Sequence, residues 1–125
     1  MKSRWDDAEA DHAVTRRAAD VSEALALRTY SARLLGADPA LVLHGGGNTS
    51  VKSRVMELLG DVTEVLYVKG SGADLATIEP RGFPACRLAH LRRCCERPAM
   101  TDEEMVAQLR GQMIDPASPT PSVEA

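Results

Sequence analysis

Aromatic residues are scarce in this sequence. Among its 125 residues they make up 3%, namely Trp5, Tyr30, Tyr67 and Phe83. A surface that stacks the bases of single-stranded nucleic acid needs several aromatic side chains close together, so this class of binding protein is excluded. Hydrophobic residues nevertheless make up 44% of the chain, as in ordinary soluble domains. We therefore expect a core that is mainly aliphatic.

The sequence also lacks a strong charge of either sign and a long apolar run. The chain has 15 Lys and Arg residues and 18 Asp and Glu residues, which gives a net charge of −3. No block of like charges indicates a surface for nucleic acid or membrane lipid. No apolar run reaches the roughly 18 residues of a membrane-spanning helix, and the charged N-terminus does not resemble a signal peptide. The expected protein is cytoplasmic and binds neither nucleic acid nor membrane.

Cysteine is rare too, and the three residues are Cys86, Cys94 and Cys95. An odd number with two adjacent is a poor disulfide framework, so free thiols in a reducing compartment are predicted. Cys86, His90 and Cys94 are spaced four apart on a predicted helix. The outer two would lie about 12 Å apart, too far to share one zinc ion. His44 has no second histidine at ligand spacing, so the sequence predicts no metal site.

The length allows one domain at most. Residues 1–19 are charged and alanine-rich without an apolar stripe, so we expect a loosely ordered lead-in, and residues 20–125 carry the predicted elements. Hydrophobic periodicity, caps and turn residues define those elements. Helices are predicted over 20–36, with Asp20 as N-cap, over 84–96, and from a capping box at 101 to about 113; strands are predicted over 41–43, 50–54 and 64–69.

A glycine-rich loop follows residue 43 and reads His44-Gly-Gly-Gly-Asn-Thr-Ser50. Glycines permit positive φ angles and leave room for a ligand, so successive backbone N–H groups can surround an anion such as phosphate, assisted by Asn48. The loop has neither the third glycine of a dinucleotide fingerprint nor the Gly-Lys-Ser/Thr of a Walker loop. A plain hairpin turn is the alternative interpretation.

Two further segments have similar chemistry. Lys69-Gly-Ser-Gly-Ala-Asp74 places Ser71 between glycines after a predicted strand, which suits an oxyanion or a simple turn. In the last segment, Ser118-Pro-Thr-Pro-Ser-Val-Glu124, Ser122 can hold an anion at a helix N-terminus and Glu124 can act as a general base. Ordinary helix capping by these two residues is the alternative.

The order of these segments resembles the N-terminal part of the class II aldolase/adducin family. The motifs that carry the resemblance are Leu-Val-Leu-His-Gly-Gly-Gly-Asn-Thr-Ser-Val-Lys over 41–52, Val-Leu-Tyr-Val-Lys-Gly-Ser-Gly-Ala-Asp-Leu over 65–75, and the segment 118–124. They are most similar to the branch in which a rhamnulose-1-phosphate-type aldolase domain precedes a short-chain dehydrogenase domain. The resemblance implies an α/β fold, a three-layer αβα sandwich with a mainly antiparallel sheet, present here as its N-terminal portion.

The resemblance also implies roles for individual residues. Gly47 and Asn48 match the Gly-Asn pair that binds the substrate phosphate, and Ser71 with Gly72 matches the second phosphate-binding pair. Ser122 matches the first serine of the third phosphate-binding segment.

Glu124 matches the catalytic carboxylate of the family. In such enzymes zinc held by histidines stabilises an enediolate while the glutamate moves a proton, so that a ketose 1-phosphate is cleaved by a retro-aldol reaction. Val123 stands where many members have a second serine.

The family's histidine zinc ligands have no counterpart in this sequence. The resemblance therefore predicts that zinc belongs to the full-length domain, that none binds this chain, and that the chain is a truncated portion without aldolase activity of its own. The ligand expected is a phosphorylated sugar, and the full-length protein is expected to form a homo-oligomer. The alternative hypothesis is a non-catalytic, adducin-like interaction module.

Overall fold

The structure is a computed structural model that describes residues 2–17 and 21–123. Within these residues, two helices precede the three strands in the sequence and two helices follow them. The helices are α1 Asp7–Arg17, α2 Glu23–Gly36, α3 Leu88–Cys94 and α4 Asp102–Gly111, and the strands are β1 Ser50–Met56, β2 Val62–Val68 and β3 Ala85–Arg87. No helix within these residues is long and apolar enough to cross a membrane.

The strands form an antiparallel sheet in the order β1-β2-β3. Ser50 pairs with Val68, and Leu66 pairs with Cys86. The strands predicted over 50–54 and 64–69 are confirmed with small shifts of their ends. Because side chains alternate along a strand, the neighbours Leu66 and Tyr67 point to opposite faces of this sheet.

Each face of the sheet has its own hydrophobic cluster. Tyr67 packs against the cluster of Leu25, Ala32, Leu75, Ile78 and Phe83, which includes residues of α2. Cys86 packs on the other side with Leu109 and Met113, next to Leu91 of α3. Helices therefore cover both faces, and the predicted α/β sandwich with an antiparallel sheet is confirmed.

The strand predicted over 41–43 is wrong. The backbone N–H groups of Leu41 and Val42 donate to the carbonyl of Asp38 at 3.0 and 3.1 Å, which coils the chain after α2. Val42 packs against the core, whereas Leu43 is 79% exposed. A three-residue apolar run does not define a strand by itself, because a strand needs a partner for its backbone groups.

The helix predicted over 84–96 begins later than expected, at Leu88. The preceding residues are held extended from both sides. The carbonyl of Pro84 accepts from Val68 N at 3.1 Å, and that of Ala85 accepts from Ile114 N at 2.9 Å. Cys86 therefore lies on a strand, and the helical spacing of Cys86, His90 and Cys94 does not exist.

The helix ends combine confirmed and corrected predictions. The capping box of α4 is confirmed, with Thr101 and Glu104 bonded reciprocally. Helix α2 has Ser22 as its N-cap, with the hydroxyl accepting from Leu25 N, and the predicted cap Asp20 lies outside the described residues. Gly36 ends α2 as predicted, but its role is steric, since a Cβ there would lie 2.2 Å from the backbone nitrogen of Ala76.

Residues 2–17 contain a packed helix that the sequence pattern did not predict. Helix α1 packs against α2 and buries Ala10 and Ala13. Trp5 contacts Tyr30 edge to face, with ring centroids 5.0 Å apart. Alanine is too small to produce a clear apolar stripe, which explains why periodicity missed this packing. The predicted boundary at 19/20 lies outside the described residues.

Candidate functional site

The two glycine-rich loops meet because β1 and β2 are antiparallel. The first loop, residues 44–49, enters β1 at Ser50, and the second loop, residues 69–74, leaves β2 after Val68. Ser50 and Val68 are directly paired, so both loops lie at the same end of the hairpin. The sequence predicted that the two loops lie at the ends of adjacent strands and share a site. The hairpin does bring the loops together, but the first loop precedes a strand and does not follow one.

Lys69 connects the two loops through its backbone and its side chain. Its N–H donates to the carbonyl of Thr49 at 3.1 Å. Its ammonium group donates to the carbonyl of Gly45 at 3.2 Å and to that of Ala73 at 2.7 Å. The side chain crosses between the loops in a buried position, with 3% of the residue exposed.

Sequence reasoning did not select Lys69 as a site residue. Its position directly before the Gly-Ser-Gly turn could have indicated a role in the site. A lysine at the end of a strand is usually exposed, however, so the sequence did not predict its burial. The burial of this side chain depends on residues 45 and 73, whose approach the sequence does not reveal.

A second contact between the loops involves side chains. His44 Nδ1 lies 2.9 Å from Asp74 Oδ2, with the His44 side chain 91% exposed and that of Asp74 21% exposed. The other carboxylate oxygen of Asp74 accepts from Ala76 N at 3.1 Å. The contact joins the first residue of the first loop to the last residue of the second loop.

The third predicted segment joins the same site. Ser122 N donates to the carbonyl of Lys69 at 3.1 Å, and Ser71 N donates to the carbonyl of Thr120 at 2.8 Å. Gly70 forms an antiparallel bridge with Pro121, and Ser122 is buried. The segment before residue 123 therefore runs beside the second loop, whereas Glu124, the predicted catalytic residue, lies outside the described residues.

Gly47 and Gly72 have positive φ angles, which glycine permits and other residues rarely adopt. Gly47 has φ +76°, and a Cβ there would lie 2.9 Å from Leu75 Cδ1. Gly72 has φ +78° with open space around its missing side chain, which leaves room for a ligand. Asn48 Oδ1 accepts from Thr49 N at 2.9 Å, and its amide nitrogen carries two N–H donors suited to an oxyanion.

The residues weighed as soft metal ligands have other partners. Cys86 Sγ lies 3.7 Å from the carbonyl of Leu109, and His90 Nε2 lies 2.6 Å from Gln108 Oε1. Burial raises the pKa of the Cys86 thiol to about 11, which disfavours the thiolate that binds metals. Across residues 2–17 and 21–123, no group of three or more His, Cys, Asp or Glu side chains is arranged to hold a metal ion.

An open cavity of about 550 Å³ lies on another side of the second loop. Its lining includes the carboxylates of Asp74, Glu79 and Asp115 together with Arg81. Three carboxylates around one guanidinium do not attract a phosphate, and neither Gly47 nor Asn48 lines this space. The candidate anion site is therefore the junction of the loops and not this cavity.

Comparisons with known proteins agree with this architecture. No family model matches the sequence. The chain is 40% identical over 124 residues to a Bacillus subtilis (strain 168) protein described as an uncharacterized oxidoreductase, and the alignment covers 99% of this chain and 17% of that protein.

A solved structure is similar as well. It is the N-terminal class II aldolase domain of a conserved protein from Thermoplasma acidophilum, with a TM-score of 0.83 and 39% identity over 99% of this chain and 53% of the solved one. The chain thus spans about half the length of the solved domain and less than a fifth of the curated relative.

Proposed function

This chain has the fold and sequence character of the N-terminal part of a class II aldolase domain, and on that premise we propose that its three loop segments bind the phosphate group of a ketose 1-phosphate. The proposed reaction of the complete domain is retro-aldol cleavage of a rhamnulose-1-phosphate-type substrate. Phosphate binding is the part of this function that the present residues would perform.

The convergence of the three segments on Lys69 is the observation that supports the proposal. Thr49, Lys69 and Ser122 are far apart in the sequence, yet hydrogen bonds of 3.1 Å join their backbones in one place. Loops rich in glycine and hydroxyl groups that meet at one point provide several N–H donors for one oxyanion. An isolated hairpin turn would not need the third segment.

The proposed roles follow from the chemistry of each side chain. The backbone at Gly47 and Gly72 lets a phosphate approach without obstruction by a Cβ. The amide of Asn48 and the hydroxyls of Ser71 and Ser122 supply hydrogen bonds to its oxygens.

Glu124 is proposed as the group that moves a proton at the substrate carbon. Its place in the sequence, two residues after Ser122, is what supports this role. In a complete class II aldolase domain, zinc supplies stabilisation of the enediolate. The described residues of this chain do not offer a ligand set for zinc.

The relative described as an oxidoreductase extends the proposal to longer proteins. This chain corresponds to 17% of that protein. We propose that in such proteins an aldolase-type segment is joined to a short-chain dehydrogenase segment, so that the name oxidoreductase refers to the other part.

Titration calorimetry with a ketose 1-phosphate and with the same ketose without phosphate tests the proposed binding. The phosphorylated sugar should bind and the unphosphorylated sugar should not. Asn48→Ala and Ser71→Ala should each weaken binding about tenfold, the effect of one strong hydrogen bond to a charged group.

Ser31→Ala is the matched control, because the Ser31 hydroxyl donates to the carbonyl of Arg28 within α2. It should leave the affinity unchanged. Equal affinity of the two sugars, or unchanged affinity in the Asn48 and Ser71 variants, would contradict the proposal and favour a non-catalytic interaction module of the adducin type.

A further inference from the structure

The tip of the β1-β2 hairpin, residues 57–61, exposes two adjacent leucines. Leu58 is 100% exposed and Leu59 is 89% exposed. They occupy the two central positions of a turn in which Gly60 N donates to the carbonyl of Glu57 at 2.9 Å. Such turns favour Asn, Asp, Gly and Ser. At these exposures the two leucine side chains are not packed against the described part of the chain.

The hairpin tip is preformed and continues as an apolar patch. Met56 and Val62, which form the last pair of the hairpin, are also largely exposed. The tip is anchored by Glu57, whose carboxylate accepts hydrogen bonds from Arg87 at 2.7 Å and from Thr63. An exposed apolar patch of several residues indicates an interaction surface, and a preformed patch loses less conformational freedom when it binds.

A groove between α3 and α4 is complementary to the hairpin tip. This α3–α4 groove has a volume of about 390 Å³, and most of its lining is apolar, including Leu66, Leu91, Met105 and Leu109. A dry apolar cavity of about 150 Å³ accepts a benzene molecule, which is larger than a leucine side chain. The groove therefore has room for two leucines.

The hairpin tip does not fill the groove of its own chain. Leu66 lies four residues along β2 from Val62, which is roughly 14 Å at the rise of an extended strand. The tip lies beyond Val62 in the other direction, and both of its leucines are exposed. A tip that enters this groove must therefore belong to another molecule.

The charges beside the two surfaces have opposite signs. Asp61 is exposed at the hairpin tip, and Arg92 and Arg97 line the groove. Among residues 2–17 and 21–123, the ion pairs include neither Asp61 nor Arg97, and Arg92 meets Glu64 only at 3.8 Å. Opposite charges at the rim of an apolar contact steer two molecules together and fix their register.

We infer that the hairpin tip of one copy of this chain inserts Leu58 and Leu59 into the α3–α4 groove of a second copy. The apolar side chains are the anchors of the contact, and Asp61 of the tip faces the arginines of the groove. The contact joins two different surfaces of the same chain and is therefore heterologous. It is independent of the proposed phosphate site, which lies at the opposite end of the hairpin, where Ser50 pairs with Val68.

Sedimentation equilibrium of the whole chain over a range of concentrations tests this contact. The wild type should associate as its concentration rises. Leu58→Ser/Leu59→Ser removes the apolar tip, and Cys95→Arg places a bulky charge at an exposed position of the groove. Each change should weaken association at least about tenfold. Leu43→Ser is the matched control, because Leu43 is exposed but belongs to neither surface, and its association should stay within about twofold of the wild type.

Mixing the variants distinguishes this contact from symmetric pairing. The leucine double variant keeps an intact groove, and the Cys95→Arg variant keeps an intact tip. Each should be monomeric alone where the wild type associates, and the two together should form a one-to-one complex. Pairing of two tips would leave Cys95→Arg associating like the wild type, and pairing of two grooves would leave the double variant doing so. Either result, or a mixture without a complex, overturns the inference.

The native thiols of the groove allow a direct test of proximity. Under mild oxidation, Leu59→Cys should form a disulfide with Cys94 or Cys95 of a second copy, which peptide mass spectrometry identifies. Leu43→Cys should form such links at least about tenfold more slowly, because it is not held beside the groove. Equal rates, links mainly between two residues 59, or a wild type that stays monomeric up to about 1 mM would overturn the inference and leave the proposed phosphate site untouched.

Discussion

His44 Nδ1 lies 2.9 Å from Asp74 Oδ2, and this contact links the first residue of one glycine loop to the last residue of the other. The two side chains contribute unequally, because Asp74 is much less exposed and also accepts a hydrogen bond from Ala76 N at 3.1 Å. Asp74 therefore shapes the turn into Leu75 as well as the junction of the loops.

Replacing these two residues should have unequal effects. His44→Ala removes one solvent-exposed contact and should change the free energy of unfolding by less than about 0.5 kcal/mol. Asp74→Ala removes both interactions and should cost about 1–2 kcal/mol. Urea denaturation of the two variants measures the difference, and equal losses would mean that the bond to Ala76 N contributes nothing.

Gly47→Ala should destabilise the chain more than Gly45→Ala. Both glycines have φ +76°, a conformation that costs other residues about 1–2 kcal/mol. At Gly47 the added Cβ would also lie 2.9 Å from Leu75 Cδ1, whereas at Gly45 no atom lies within 4 Å. Thermal melts should therefore rank wild type above Gly45→Ala and Gly45→Ala above Gly47→Ala; a reversed order would refute the packing argument.

Gly36→Ala and Gly111→Ala should act in opposite directions. A Cβ at Gly36 would lie 2.2 Å from Ala76 N and 2.5 Å from the carbonyl carbon of Leu75, so the loss should exceed about 2 kcal/mol. Gly111 ends α4 with open space around it, and alanine there should stabilise the helix by about 0.5–1 kcal/mol. Denaturant midpoints of the two variants check both signs.

The stability of the chain should depend on pH through Glu57. A hydrogen bond from Thr63, followed by one from Arg87, lowers the pKa of the Glu57 carboxyl below its usual 4.5. A lowered folded-state pKa stabilises the fold above the unfolded value, and this contribution is lost as pH falls through the folded value. Stability should therefore decrease below about pH 4.5.

Glu57→Gln should reduce that acid dependence. Thr63→Val should reduce it as well, because it removes the hydrogen bond that lowers the pKa of Glu57 most. Urea titrations at several acidic pH values provide the test. An unchanged slope in both variants would show that other carboxyls govern the acid response.

The three thiols should react at different rates with a soluble disulfide reagent. Cys95 is exposed, Cys94 is half-buried and Cys86 is buried, and burial raises the pKa of the Cys86 thiol to about 11. Since the thiolate is the reactive form, Cys95 should react first, and Cys86 only after denaturant is added. Rapid modification of Cys86 in the folded chain would contradict its place in the core.

Elements with strong local signals were predictable from the sequence. The capping box at Thr101 and Glu104 specifies a helix start within four residues, and the strands flanking Gly60 show β-rich composition. Glycine was expected to permit positive φ angles in the two loops, and Gly45, Gly47 and Gly72 have them. These features depend on interactions between near neighbours in the chain.

The errors arose where distant partners decide the conformation. Leu41 and Val42 look like a strand, but no neighbouring strand accepts their hydrogen bonds, and Asp38 holds them in a turn. Cys86 looks helical, but Leu66 and Met113 pair with it on either side and keep it extended. Backbone groups must be satisfied by some partner, and the local sequence does not say which one.

The sequence by itself determined which segments carry the donors that are proposed to bind an anion, because glycine, asparagine and serine carry those donors wherever they lie. Only the tertiary structure decided that these segments meet. The antiparallel pairing of Ser50 with Val68 brings the two loops together, and the bond from Ser122 N to the carbonyl of Lys69 adds the third segment. Lys69 became part of the site for the same reason, since burial of an ammonium depends on carbonyls supplied by both loops and not on its own neighbours in the chain.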